Sequence, residues 1–329
     1  MNRIIPITCV LLLACGKTRD VDPQPIMATD SIYRAAMRGF VQDLSVWARS
    51  INPQFVVIPQ NGQQLATLNG LPDGPLATDY LAAIHGQGRE ELFFGYDNND
   101  DEPTPADERA VWQPDLELMR DYGIKILVTD YCNTATTVDS SYALNHDLNF
   151  ISYAADARDL NTIAPYPSPI YAENANDINQ LSDAQNFLYL INTDQFETKA
   201  ELVAAISATN YDVVLLDFFF DEEEYTSAEV LQMKQKANSA QRMVVSYMSI
   251  GEAEDYRFYW QPHWSFNPPE WMHGENPDWP GNYKVEYWNE EWQNIIFGND
   301  ASYLGKIVSK GFDGVYLDLI DAFEYWEEE

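Results

Sequence analysis

Carboxylates that close short apolar runs are the residues here whose type and spacing point to chemistry. Asp318 ends "GVYLD" and Asp321 follows three residues on. Asp217 ends "DVVLLD", and Glu252 and Glu254 stand two apart in "SIGEAEDYR", which also carries Arg257. Asp130 ends "KILVTD", Asp97 ends "LFFGYD", and Asn61 follows "FVVIPQ". Tyr96, Tyr131, Tyr153 and Tyr247 stand nearby. Converging carboxylates among aromatics suit glycoside hydrolysis: one carboxylic acid protonates the leaving oxygen, and a second carboxylate attacks or activates water. Crowding like charges raises one of the pKa values and so supplies the acid form. The plainer alternative is that a strand-end Asp caps the helix after it. With four His and no His-rich or Cys-rich cluster, a metal-dependent deacetylase is the weaker reading, and no metal or cofactor is expected. "DNNDDE" at 97–102 lacks the Gly of a calcium loop and reads as a solvated acidic turn.

Those acids need rigid elements to hold them. Apolar runs rich in β-branched and aromatic residues begin at Phe55, Leu92, Lys125, Phe150, Phe187, Asp212, Met243 and Gly314. They are nearly continuous, as parallel strands covered on both faces should be. Helices are predicted over 31–50, 107–121, 198–208, 227–240 and 300–310, with Asp107 and Ser227 as N-caps. This alternation predicts an α/β fold, a (β/α)8 TIM barrel; a doubly wound open sheet is disfavoured because no Gly-rich phosphate loop appears. The order is unusual, starting with a helix and ending with a strand. Helix 31–50 is therefore expected to cover the strand from Gly314, and that strand to pair with the one at 55–59, as in a circularly permuted barrel. The long stretch 251–312 holds Trp260, Trp264, Trp271, Trp279, Trp288 and Trp292. Such rings stack on sugars, with Trp260 the first candidate, while about half of them are assigned to packing.

"SYMSIGEAEDYRFYW" and "GFDGVYLDLIDAFEYW" resemble blocks of the endo-α-1,4-polygalactosaminidase-like glycoside hydrolases (glycoside hydrolase family 114), in particular their bacterial and archaeal extracellular branch. The resemblance spans about Tyr33 to Trp326. It implies a (β/α)8 barrel acting on α-1,4-linked galactosamine-containing polysaccharide. It implies Asp318 as a catalytic carboxylate; Glu252, Glu254, Asp97 and Asp130 compete as its partner, with a Glu of the "GEAED" block the first choice. Asp217, Asp321, Asp130, Asn61, Arg257, Tyr96, Asp97, Tyr247 and Trp260 are then substrate-binding candidates. There are two departures. The "PQNG" and "VTDY" blocks precede the other two here and follow them in the family. Where the family carries a Glu on the strand matched by "LFFGYD", this chain offers only Tyr96 and Asp97. A non-catalytic carbohydrate-binding lipoprotein on the same barrel is the alternative.

A formal net charge of −33 argues against nucleic acid and suits a cationic substrate or simple solubility. The start, with Arg3, an apolar run and Leu12-Leu13-Ala14-Cys15, predicts a lipoprotein signal over 1–14 and lipid on Cys15. A flexible linker over 15–30 and one domain over 31–329 follow. The expectation is a monomer in the bacterial cell envelope, touching the membrane through its lipid only. Cys132 has no expected disulfide partner and reads as packed.

Overall fold

The computed structural model describes residues 30–328. The expected signal segment 1–14, the lipid site Cys15 and the linker up to residue 29 lie outside the described residues. The protein is a mixed α/β fold built on parallel strands. In chain order these are β1 (Val56–Pro59), β2 (Gly86–Glu90), β3 (Lys125–Tyr131), β4 (Ile151–Ala155), β5 (Phe187–Tyr189), β6 (Val213–Leu216), β7 (Met243–Ser249) and β8 (Gly314–Asp318). One sheet has the order β1-β8-β7-β6-β5, the other β2-β3-β4. The sheets meet at a parallel bridge between Gln60 and Gly88, where His85 N–H donates to the Val57 carbonyl and Asn61 N–H to that of Gly88 (both 2.9 Å). At the other side β4 and β5 lie next to one another, with no ladder between them among the described residues.

The expected pairing of β1 with β8 is present, in the register Val56–Gly314 to Pro59–Leu317. Helix α1 (Ile32–Ile51) starts at Ser31, whose hydroxyl accepts from Tyr33 N–H, and buries Met37, Phe40, Val41, Leu44 and Ala48 at the spacing of one helical face. It packs between α2 (Thr78–Ala83) and α8 (Tyr303–Lys310). The other helices are α3 (Ala106–Asp121), α4 (Ala135–Asp147), α5 (Lys199–Ser207), α6 (Ser227–Met233), α7 (Glu290–Ile296) and α9 (Phe323–Glu328).

Several expectations are corrected. The chain does not end on its last strand: after Asp318 it makes a 3-10 turn and then α9, whose Trp326 packs against Tyr33 and Trp288. The predicted strand at Leu92 is absent. The strand is "GQGRE", six residues earlier, and Phe94–Gly95 forms only a small hairpin with Asn99–Pro103. Helix 227–240 stops at Met233, because Gln235 bridges Gln241 and Lys236 turns inward to an ion pair with Asp212 (2.5 Å). Its cap is Thr226, in a capping box with Glu229, and Asp107 lies in the first turn of α3 rather than at the cap. The stretch 251–312 is not an irregular loop. It contains an antiparallel sheet of Glu252–Glu254, Asn282–Val285 and Met272–Glu275, followed by α7 and α8. Cys132 is packed, against Val138, Tyr142 and Ala154.

Candidate active site

The C-terminal ends of the parallel strands surround a cavity of about 610 Å³. Strand periodicity decides which side chains reach it. On β8, Tyr316 and Asp318 share one face. Tyr316 points at Gly88, where a Cβ would lie 2.0 Å from the tyrosine hydroxyl, so only glycine fits there. Gly88 and Glu90 then share the inner face of β2, and Glu90 stands at the strand end on the cavity wall. Tyr131 closes β3 on the same side. Asp130, one residue earlier, faces outward, where it accepts from Phe93 N (2.9 Å), Phe94 N (3.2 Å), Ser141 Oγ (2.7 Å) and Asn145 Nδ2 (3.1 Å). It ties the β2–α3 connection to α4.

Two carboxylates have matching settings. Asp318 accepts from Tyr247 Oη (2.6 Å) through Oδ2 and from Leu319 N (2.8 Å) through Oδ1. Leu319 adopts a left-handed backbone (φ 59°), uncommon for a residue with a side chain. Its carbonyl lies so close to Gly251 that a Cβ there would meet it at 2.3 Å, which accounts for the glycine of "SIGE". Glu90 accepts from Tyr131 Oη (2.5 Å) and from Gln60 Nε2, and Gln60 in turn accepts from Tyr189 Oη (2.8 Å). Neither acid makes an ion pair among the described residues. Burial pushes both carboxyls above the usual range, and the Asp318 charge pushes Glu90 further, while the Tyr131 and Tyr247 hydroxyls oppose the rise. Asp321, on the same wall, is raised to about 7 by burial and by repulsion from Asp318 and Glu324.

Of the other expected site residues, Asn61, Asp217, Tyr247, Glu252, Glu254 and Arg257 line the cavity. Arg257 is saturated: it donates to both oxygens of Asp217 (2.9 and 2.8 Å) and to Glu254 Oε2 (2.7 Å). Glu254 also accepts from Tyr256 Oη (2.7 Å). These three residues thus form a closed ionic clasp across the rim. Besides Asp130, three candidates do not line the cavity. Tyr96 turns its hydroxyl to Glu108 (3.4 Å) and Asp97 is exposed in the acidic hairpin. Trp260 packs on Trp264 and Tyr283. The hairpin itself serves α4: Asp101 accepts from Asn133 N (2.8 Å) and Thr134 N (3.1 Å) just before the helix begins. Of the wall residues, Glu90 was not among the expected ones, and Trp279 was named only within the Trp-rich stretch. Glu90 was hidden because its strand has no apolar run, and Trp279 sits on an exposed turn. No group of three or more His, Cys, Asp or Glu side chains able to hold a metal occurs among the described residues.

Residues 171–329 match glycoside-hydrolase family GH114. That segment contains Asp217, Glu252, Glu254, Arg257, Asp318 and Asp321, whereas Asn61, Glu90 and Tyr131 lie before it. An uncharacterized protein of Methanocaldococcus jannaschii is 41% identical over 160 residues, which are 48% of this chain and 42% of that one. An uncharacterized protein of Thermotoga maritima is 43% identical over 148 residues (44% and 41%), and one of Deinococcus radiodurans 40% over 121 (36% of each). The matches span less than half the length of these relatives. The acids of β6, β7 and β8 thus lie inside the segment that is similar to glycoside-hydrolase family GH114.

Proposed function

We propose that the protein hydrolyses an α-linked galactosamine-type polysaccharide, with Glu90 and Asp318 as its catalytic carboxylates. The observation that carries the reading is this pair: two buried acids on one cavity, each held by a tyrosine hydroxyl, neither in an ion pair among the described residues. Glu90, raised by burial and by Asp318, is the proton donor to the glycosidic oxygen. As the C1–O bond breaks, Asp318, or a water it deprotonates, attacks C1. A backbone N–H and a tyrosine hydroxyl stabilise the Asp318 anion for that role. Glu90 also answers the apparent lack of a glutamate on the second strand, since β2 ends on it. The clasp of Arg257, Asp217 and Glu254 shapes the rim rather than meeting the sugar directly.

The same reading takes the parallel strands as one closed (β/α)8 barrel whose chain order is permuted relative to the family. The β1–β8 pairing, the α1–α8 packing and the Gln60–Gly88 bridge support it. The reading also places the chain in the bacterial cell envelope as a monomer, held through lipid on Cys15 and by no other membrane contact. Incubation of the protein with α-1,4-linked galactosamine polymer, followed by mass spectrometry of the soluble products, tests the activity. Release of hexosamine oligomers is expected. A polymer that binds and stays intact would favour a carbohydrate-binding lipoprotein instead.

A further inference from the structure

Glu90 draws its hydrogen-bond donors from two other strands and, through one of them, leans on a third. Oε1 accepts from Tyr131 Oη of β3 (2.5 Å), and Oε2 accepts from Nε2 of Gln60, just past the end of β1. The Gln60 main chain is pinned: its N–H donates to the Leu317 carbonyl (2.8 Å), and it bridges Gly88. Its side-chain carbonyl accepts from Tyr189 Oη of β5 (2.8 Å). Gln60 is 4% exposed and Tyr189 1%, so neither side chain has bulk water to turn to.

An amide presents a carbonyl on one side and N–H donors on the other, and a half-turn exchanges them. Here the far side blocks that turn. The Tyr189 hydroxyl carries a single hydrogen, and Gln60 is its hydrogen-bond partner among the described residues. With the amide reversed, Nε2 would donate to the phenol oxygen, and the phenol hydrogen would lie buried without an acceptor. A buried donor left unpaired is costly. The ring is itself held, edge to face, by Tyr316 (5.2 Å between centroids).

We infer that Tyr189 locks the Gln60 amide with its N–H toward Glu90, so that this buried pair tunes how readily Glu90 gives up its proton. The inference builds on the hydrolase reading, in which Glu90 is the acid. Gln60 and Tyr189 are positioning residues in it, acting through Glu90 rather than on the sugar. When the proton leaves, the new anion finds a donor already in place on Oε2. Without the Tyr189 hydroxyl the amide is free to turn its carbonyl to Glu90, where it accepts from the acid form and holds the proton on. Other groups face Glu90 as well. Burial raises its carboxyl, with Asp318 and Glu91 adding to the rise, while Tyr131 and Arg89 oppose it; the Tyr189 and Tyr316 phenols stand close by. Arg89 is turned onto Trp112, and Glu91 is paired with Arg158 (2.7 Å), so neither depends on Tyr189.

The Glu90 carboxyl is titrated directly, without substrate, by NMR of protein carrying isotope-labelled glutamate. Its signal is identified by its loss in Glu90→Gln. Tyr189→Phe, which removes one hydroxyl and keeps the ring, is expected to raise the titration midpoint by about 0.4–1 pH unit. Gln60→Met, which removes the donor itself, should raise it as well. In that background there is no amide to lock, and adding Tyr189→Phe should move the midpoint by less than about 0.2 unit. A midpoint unmoved by Tyr189→Phe overturns the inference, as does one unmoved by Gln60→Met. So does an equal Tyr189→Phe shift with and without Gln60. The pH–rate curve on galactosamine polymer separates this from the hydrolase reading. A midpoint that moves while the proton-donor limb of that curve stays put supports the lock and removes Glu90 from the acid's role.

Discussion

Replacing Arg257 with Met should cost far more stability than a rim residue usually does. Arg257 is 9% exposed and Glu254 1%, so the charges they carry are largely shielded from water. The guanidinium makes three short charge-assisted bonds, at 2.7–2.9 Å, to two different carboxylates. Breaking a buried pair from one side leaves the other charge uncompensated, at a cost of about 3–5 kcal/mol. Here two acids are stranded, and the guanidinium's contacts with the rings of Phe219, Tyr256 and Tyr303 are lost as well. The upper part of that range is therefore expected. Urea unfolding followed by tryptophan fluorescence measures it, with the change in midpoint read at constant slope. The triple variant Arg257→Met, Asp217→Asn, Glu254→Gln should recover most of the loss, since it removes the stranded charges along with the cation. A single-variant loss below about 1 kcal/mol, the size of an exposed salt bridge, would refute the clasp as a buried element. So would a triple variant no more stable than the single one.

Two further outcomes follow from individual residues. His85 accepts from Val57 N–H through Nδ1 (3.2 Å), and burial, helped by repulsion from Arg49, lowers its pKa to about 4. The unfolded chain takes up this proton near pH 6.5 and the folded one near 4, so stability present above 6.5 should be lost as pH falls toward 4. About 1–3 kcal/mol is expected for this half-buried ring, and His85→Asn should flatten the slope in denaturation curves taken across that window. Tyr131→Phe removes a donor that opposes the rise of the Glu90 carboxyl. The limb of the pH–rate curve set by the proton donor should therefore move to higher pH, and an unmoved limb would separate Glu90 from the proton transfer.

The sequence was legible where burial selects side chains. Continuous apolar runs mark β1, β3, β4, β5, β6, β7 and β8 because both faces of each strand are covered. It was not legible at β2. "GQGRE" carries two glycines, and the space a side chain would fill is taken by Leu181, Ile58 and Leu127 at Gly86 and by Tyr316 at Gly88. Gln87, buried on the outer face, donates to the Asn61 carbonyl (2.7 Å) rather than packing as an apolar residue. A search for hydrophobic runs therefore passes over the strand and lands on "LFFGY", whose Leu92 and Phe93 are buried as a connection. Asp130 misled for a related reason. Position at a strand end was legible, but the face was not, and the alternation that brings Tyr131 to the cavity turns Asp130 away from it. Arg257, read as a substrate contact, is held by two acids distant from each other in the chain, a partnership that only the fold creates.

The central claim is that Glu90 and Asp318 act as a pair. It is tested most directly by the turnover of Glu90→Gln and Asp318→Asn on galactosamine polymer, each variant first confirmed folded by its unfolding midpoint. Each replacement keeps the shape and removes the acid, so a fall in kcat of about 10²–10⁴ is predicted for both. Turnover within a few-fold of the unaltered protein in either folded variant would contradict the account.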